Sequence, residues 1–242
     1  MSFISKSVVA AVLAGGAVAA QGSVTVDGYS WDYAYTGDAV PTASSPAWTT
    51  AGSGSFSASG GILTVDTTTD DGRYFQINTG TEWNPTPSGT AYVQFKVKVN
   101  SENGNFAGGL YVGGQGRSIN MNIGADGGFS GVFDNSETNI VNNLDVTQYH
   151  TYRVAFRPDV SENSYTLWID DMTPANYVAS GTLYSGSGYM YFGDGGGSQQ
   201  GSMDWDYIAW NNNGAPVAVP EPAALSLLGL AGLLGLRRQR RR

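Results

Sequence analysis

The chain has no cysteine, a single histidine (His150) and few cations for its 242 residues. Without cysteine there is no disulfide scaffold, no thiolate zinc site and no cysteine nucleophile. One histidine cannot build a multi-histidine metal centre. Of the 12 lysines and arginines, Arg237, Arg238, Arg240, Arg241 and Arg242 crowd into the last six positions. Setting these and Lys6 aside leaves six cations against 20 carboxylates, a net charge of −14. Such a body repels nucleic acid and anionic lipid at a distance, so nucleic acid is not an expected partner. Helical periodicity is also missing between the two ends, and no internal repeat occurs. Glycine, in contrast, is plentiful: 34 residues, about 14% of the chain and roughly twice the ordinary share. With 14 Tyr, 9 Phe and 6 Trp, it predicts short aromatic strands joined by turns.

The two ends read as targeting devices. Lys6 precedes an apolar stretch from Val8 to Ala20, and Ala17-Val18-Ala19 supplies the small residues that signal peptidase accepts. Thirteen helical residues span only about 20 Å, short for a membrane crossing, so residues 1–20 are expected to be a signal peptide. At the other end, Val219-Pro220-Glu221-Pro222 leads into the apolar run 223–236, closed by the arginine cluster 237–242. This predicts a short membrane helix whose basic stop stays cytoplasmic. Its fourteen residues cover about 21 Å of a roughly 30 Å core, which suits a transient inner-membrane anchor.

The tripartite tail Val219–Arg242 closely resembles the PEP-CTERM sorting signal of Gram-negative bacteria. The resemblance implies that Val219, Pro220, Glu221 and Pro222 form the sorting motif. It further implies that an exosortase processes the chain and delivers the body to the cell surface or matrix. Between the ends, residues 23–210 are expected to form one domain, and 211–218, with Asn211-Asn212-Asn213-Gly214, a linker.

Period-two alternation is clear in the body. In 91–99, Val93, Phe95, Val97 and Val99 share one face, opposite Gln94, Lys96 and Lys98. Residues 151–157 place Tyr152, Val154 and Phe156 opposite Arg153 and Arg157, and 164–170 place Tyr165, Leu167 and Ile169 together. Further strands are predicted at 62–66, 73–78, 106–112, 118–123, 128–133, 177–183, 188–193 and 203–210. One polar face per strand predicts antiparallel sheets stacked face to face, an all-β two-sheet jelly-roll sandwich. Segments such as Gly60-Gly61-Ile62-Leu63-Thr64-Val65 and Met203-Asp204-Trp205-Asp206-Tyr207-Ile208 resemble concanavalin A-like lectin and glucanase jelly rolls. The pair Tyr152-Arg153-Val154 and Tyr165-Thr166-Leu167-Trp168-Ile169-Asp170 is also similar to laminin-G-like domains.

The catalytic patterns of that fold are not evident. A retaining glucanase needs two carboxyls about 5 Å apart, which alternate strand positions supply. Glu82, Glu102, Glu137 and Glu162 stand singly, and only Asp204 and Asp206 have the spacing. Gln76-Ile77-Asn78 resembles an alginate-lyase strand but has Asn78 where that family has histidine. No Gly-x-Ser-x-Gly elbow accompanies His150. Binding residues are better represented. Trp168 falls opposite Tyr165, Leu167 and Ile169, Arg153 and Arg157 can flank it, and Trp48 and Trp83 are placed at a rim. The glucanase resemblance also implies one structural Ca²⁺, held by Asp206 with carbonyls near Gly60 and Gly61. The expected function is noncatalytic binding of extracellular polysaccharide. The alternatives are a divergent glycoside hydrolase or polysaccharide lyase, and a purely structural envelope or biofilm protein.

Overall fold

The computed structural model describes residues 23–69, 72–103, 106–126, 129–133, 139–162, 164–195 and 200–220. The expected signal peptide 1–20, Glu137, Glu221, Pro222, the expected membrane helix 223–236 and the basic cluster 237–242 lie outside the described residues. In chain order the strands are β1 (Val24–Val26), β2 (Tyr29–Trp31), β3 (Tyr33–Tyr35), β4 (Thr49–Gly52), β5 (Ser55–Ser59), β6 (Ile62–Asp66) and β7 (Arg73–Asn78). Then come β8 (Ala91–Glu102), β9 (Gly108–Gly114), β10 (Arg117–Asp126), β11 (Phe129–Phe133), β12 (Asn139–Asn142) and β13 (His150–Phe156). The last are β14 (Tyr165–Ile169), β15 (Ala179–Gly181), β16 (Tyr184–Ser185), β17 (Tyr189–Asp194), β18 (Gly201–Asn211) and β19 (Val217–Ala218).

These strands build the expected all-β sandwich. The first sheet has the order β15-β14-β13-β8-β18-β6-β5, with β3 paired to β18. The second runs β12-β11-β10-β9-β17-β7-β4, with β16 paired to β10. Alternation explains which side chains meet between them. Val93, Phe95 and Val97 of β8, Tyr152, Val154 and Phe156 of β13, and Leu110, Val112, Phe75, Ile77, Met190 and Phe192 of the second sheet form one core. Phe192 spans the layers, 5.0 Å from Trp205 and 5.0 Å from Trp48 between ring centroids. Each such fully buried aromatic contributes about 1.5–3 kcal/mol of transfer free energy.

Strict alternation fails within β18. A register shift against β8 between Trp205 and Tyr207 leaves Asp206 as the extra residue. Met203 and Trp205 therefore face the main core, but so do Ile208 and Trp210, while Tyr207 and Ala209 turn outward. There they meet Val26 and Trp31 in a second, smaller core. The cover of that core is a three-stranded sheet, β1-β2-β19. Asp27 and Gly28, with φ of 51° and 75°, make the two-residue turn between β1 and β2.

Residues 211–218, expected as a linker, are instead laced to the body. Asn211 ends β18 and accepts a hydrogen bond from the Asp32 amide at 2.7 Å. The Gly214 amide donates to Thr90 at 2.8 Å, and Val217 pairs with Ser30. The correction has a plain cause: a two-residue edge strand has too few residues to show alternation.

Candidate ligand-binding faces

Arg153 and Arg157 project from the outward side of the first sheet, as alternation requires. Arg153 is directly opposite Trp168 in register, but its guanidinium is turned away beneath the small sheet. It lies 4.2 Å from the Tyr29 ring centroid and 5.6 Å from that of Trp31, and its Nε donates to Gln94 at 2.8 Å. Gln94 Nε2 donates in turn to Tyr207 at 2.7 Å, and the Tyr207 hydroxyl donates to Asp27 at 2.9 Å. Desolvation pulls the Arg153 pKa below the usual arginine value. Nη2 is buried without a hydrogen bond, so ring faces take the place of acceptors. The expectation that Arg153 flanks a ligand therefore gives way to a clamp holding the terminal sheet.

Trp168 and Arg157 are brought together. They line an open cavity of about 410 Å³, with Tyr92, Thr166 and Tyr177. Arg157 Nη2 donates to Thr166 at 2.8 Å. Trp48 and Trp83 do not join them, and their placement at a rim is corrected. Trp48 is 2% and Trp83 0% exposed, because Trp48 packs edge-on against Trp210 at 5.5 Å and Trp83 donates to the Gly113 carbonyl at 2.7 Å.

The calcium donor set fits poorly. Asp206 stands 2.9 Å from the Lys96 ammonium, so a cation would have to share that carboxylate with a lysine. Gly60 and Gly61, with φ of 61° and 80°, form the two-residue turn between β5 and β6. Among the described residues no three His, Asp or Glu side chains gather as a metal-holding group. Asp204 likewise sits 3.4 Å from Lys98 and accepts from Thr64 at 2.7 Å. His150 is held by Asp170 at 2.7 Å, with its other ring nitrogen 3.0 Å from the Asp145 carbonyl.

The outward side of the second sheet carries a constellation that the sequence reading missed. Across five neighbouring strands, Thr49, Gln76, Tyr191, Tyr111 and Asn120 stand opposite one another in register. Tyr111 and Tyr191 are stacked, with 5.1 Å between centroids and 4° between planes. Tyr74 lies 5.1 Å from Tyr191, and Tyr189 4.7 Å from Tyr111. Asn78 and Asn122 flank this tyrosine group, with Asn78 opposite Tyr189. Gly113 is required here, because a side chain would collide with the Ser187 carbonyl and the Tyr111 ring. That close approach lets the Ser187 amide donate to the Tyr111 hydroxyl at 2.9 Å. Desolvation and then the neighbouring tyrosines raise the Tyr191 pKa, and desolvation and then Tyr111 raise that of Tyr189. Both hydroxyls thus keep their protons to higher pH than a free tyrosine. The outward positions of β7, β17, β9 and β10 named here carry no charge. Tyr74-x-Gln76-x-Asn78 and Tyr189-x-Tyr191 were the available signal, since each repeats polar and aromatic groups at period two.

A PEP-CTERM protein-sorting motif matches residues 218–242, which implies an exported chain, anchored in the membrane during sorting and processed by an exosortase. No curated protein matches the chain in sequence. Among solved structures, a GH43 glycoside hydrolase whose active site was engineered to display both endo-xylanase and exo-arabinofuranosidase activity is similar at 12% identity, over 79% of this chain and 40% of its own, with a TM-score of 0.45. This chain thus spans two fifths of that enzyme. A glycosyl hydrolase family protein from Mycobacterium fortuitum is similar at 16% identity, over 75% of this chain and 99% of its own, TM-score 0.47. The endo-1,3-beta-glucanase from Streptomyces sioyaensis is similar at 12%, over 77% and 97%, TM-score 0.48.

Proposed function

We propose that this protein is sorted to the cell surface or matrix, where its sandwich binds extracellular polysaccharide without cleaving it. The observation that carries the reading is the in-register row Thr49–Gln76–Tyr191–Tyr111–Asn120 on the outward side of the second sheet. Rings offer apolar surface to the C–H faces of a sugar, and flanking amides and hydroxyls exchange hydrogen bonds with its hydroxyls. Five strands at about 4.8 Å spacing extend the row across roughly 19 Å, which suits a polymer better than a single unit. An uncharged face selects a neutral chain. The lysine partners of Asp204 and Asp206 support binding over hydrolysis, since each ammonium already engages the carboxylate that acid–base work would need.

The test is affinity electrophoresis of the full chain, kept in a detergent without a sugar headgroup, through gels containing neutral polysaccharides. Reducing ends are assayed in the same samples. Retardation without released sugar is expected, and Tyr191→Ala should weaken it about tenfold or more. Released sugar would overturn the noncatalytic reading. Retardation unchanged in Tyr191→Ala would overturn the assignment to this face, and no retardation would favour a purely structural surface protein.

A further inference from the structure

The cavity beside Trp168 is unlike the tyrosine face in one respect: it holds a charge. Its floor is a second in-register row, Tyr92–Ala155–Thr166–Ser180, running across β8, β13, β14 and β15. Ala155 is the small residue in that row, and the absence of a longer side chain there leaves the depression open. Trp168 is 91% buried and its indole N–H makes no hydrogen bond within the protein. Among the described residues that line the cavity Arg157 carries the charge, and Thr166 accepts one of its N–H groups. At about 410 Å³ the space matches sites that hold one small molecule rather than a polymer segment.

We propose that this cavity is a second saccharide site, specific for a sugar unit that bears a carboxylate. Arg157 takes the carboxylate through charge-assisted hydrogen bonds, and Trp168 and Tyr92 contact the ring. The net charge of −13 over residues 21–218, six cations against 19 carboxylates, disfavours a densely charged polyanion. The fitting ligand is therefore a mostly neutral polymer with sparse uronic acid branches. Such a chain could lie along the tyrosine face of one copy while a branch occupies the cavity of another, so the protein would cross-link its matrix. The site itself stands independently of the tyrosine face.

The experiment is calorimetric titration of the full chain, in the same detergent, with a xylose oligomer bearing one glucuronic acid, and with its carboxyl-reduced neutral counterpart. The acidic oligomer is expected to bind about tenfold or more tightly than the reduced one. Arg157→Gln should abolish that preference, and Ala155→Leu, which fills the floor without touching the charge, should block binding to the cavity. Tyr191→Ala should leave the preference intact, which separates this site from the neutral-chain face. Equal affinity for the two oligomers would overturn the proposal without any variant. So would a preference that survives Ala155→Leu, or one lost in Tyr191→Ala instead.

Discussion

Arg153 and Arg157 lie four residues apart on the same outward side of the first sheet, yet they have different roles. Arg153 is buried by a segment more than a hundred residues away in sequence, the β1–β2 hairpin, and becomes part of a clamp with Gln94, Tyr207 and Asp27. Arg157, one turn of the pleat beyond that cover, lines an open cavity. Identical residue type, sheet and face thus give a structural arginine and a candidate binding arginine. What differs is the cover, which comes from elsewhere in the chain.

The largest way to expose the covered region is alkali. Burial raises the pKa of Tyr207 and Tyr152 well above the ordinary 10.0. Below pH 10 both folded and unfolded states keep these protons, so the folded state has its full stability. As pH climbs past 10 the unfolded chain ionises first, and stability falls until the raised folded values are passed. Denaturant melts from neutral pH to about pH 12 should show that decline, and Tyr207→Phe should lessen it. The arginines themselves come next. Arg153→Ala is expected to lower stability by about 3 kcal/mol, because Gln94 loses its donor and two rings lose their cation. Arg157→Ala should change it by less than about 1 kcal/mol. The reverse ranking in urea unfolding would break the comparison. Smallest are the surface pairs. Lys98→Met and Lys96→Met, each facing a carboxylate about a third or less exposed, should shift stability by no more than about 0.5 kcal/mol.

Much of the sandwich was legible in the sequence, and the reasons for the rest are physical. Residues 62–66 and 73–78 alternate cleanly and are β6 and β7 to the residue. Three-residue strands such as β1 and β2 have no period to read, although Asp27-Gly28 between Val26 and Tyr29 is a hairpin signal. In 203–210, uninterrupted alternation would put Tyr207 on the side of Trp205, and only the bulge at Asp206 sends it outward. Trp48 and Trp83 sit in irregular segments, which suggests exposure until long-range packing buries them. The candidate faces follow the same rule. Period two assigns Trp168, Tyr189 and Tyr191 to the outside of their sheets, but whether an outside is covered depends on which distant strand or loop crosses it.

Hydrogen exchange of the full chain with and without a neutral polysaccharide tests the central claim most directly, since it reads the occupied face without any substitution. Protection is expected in peptides from Arg73–Asn78, Gly108–Gly114 and Tyr189–Asp194, the strands that carry the tyrosines. Protection confined to His150–Phe156 and Tyr165–Ile169, or none at a concentration that retards the protein in gels, would contradict it.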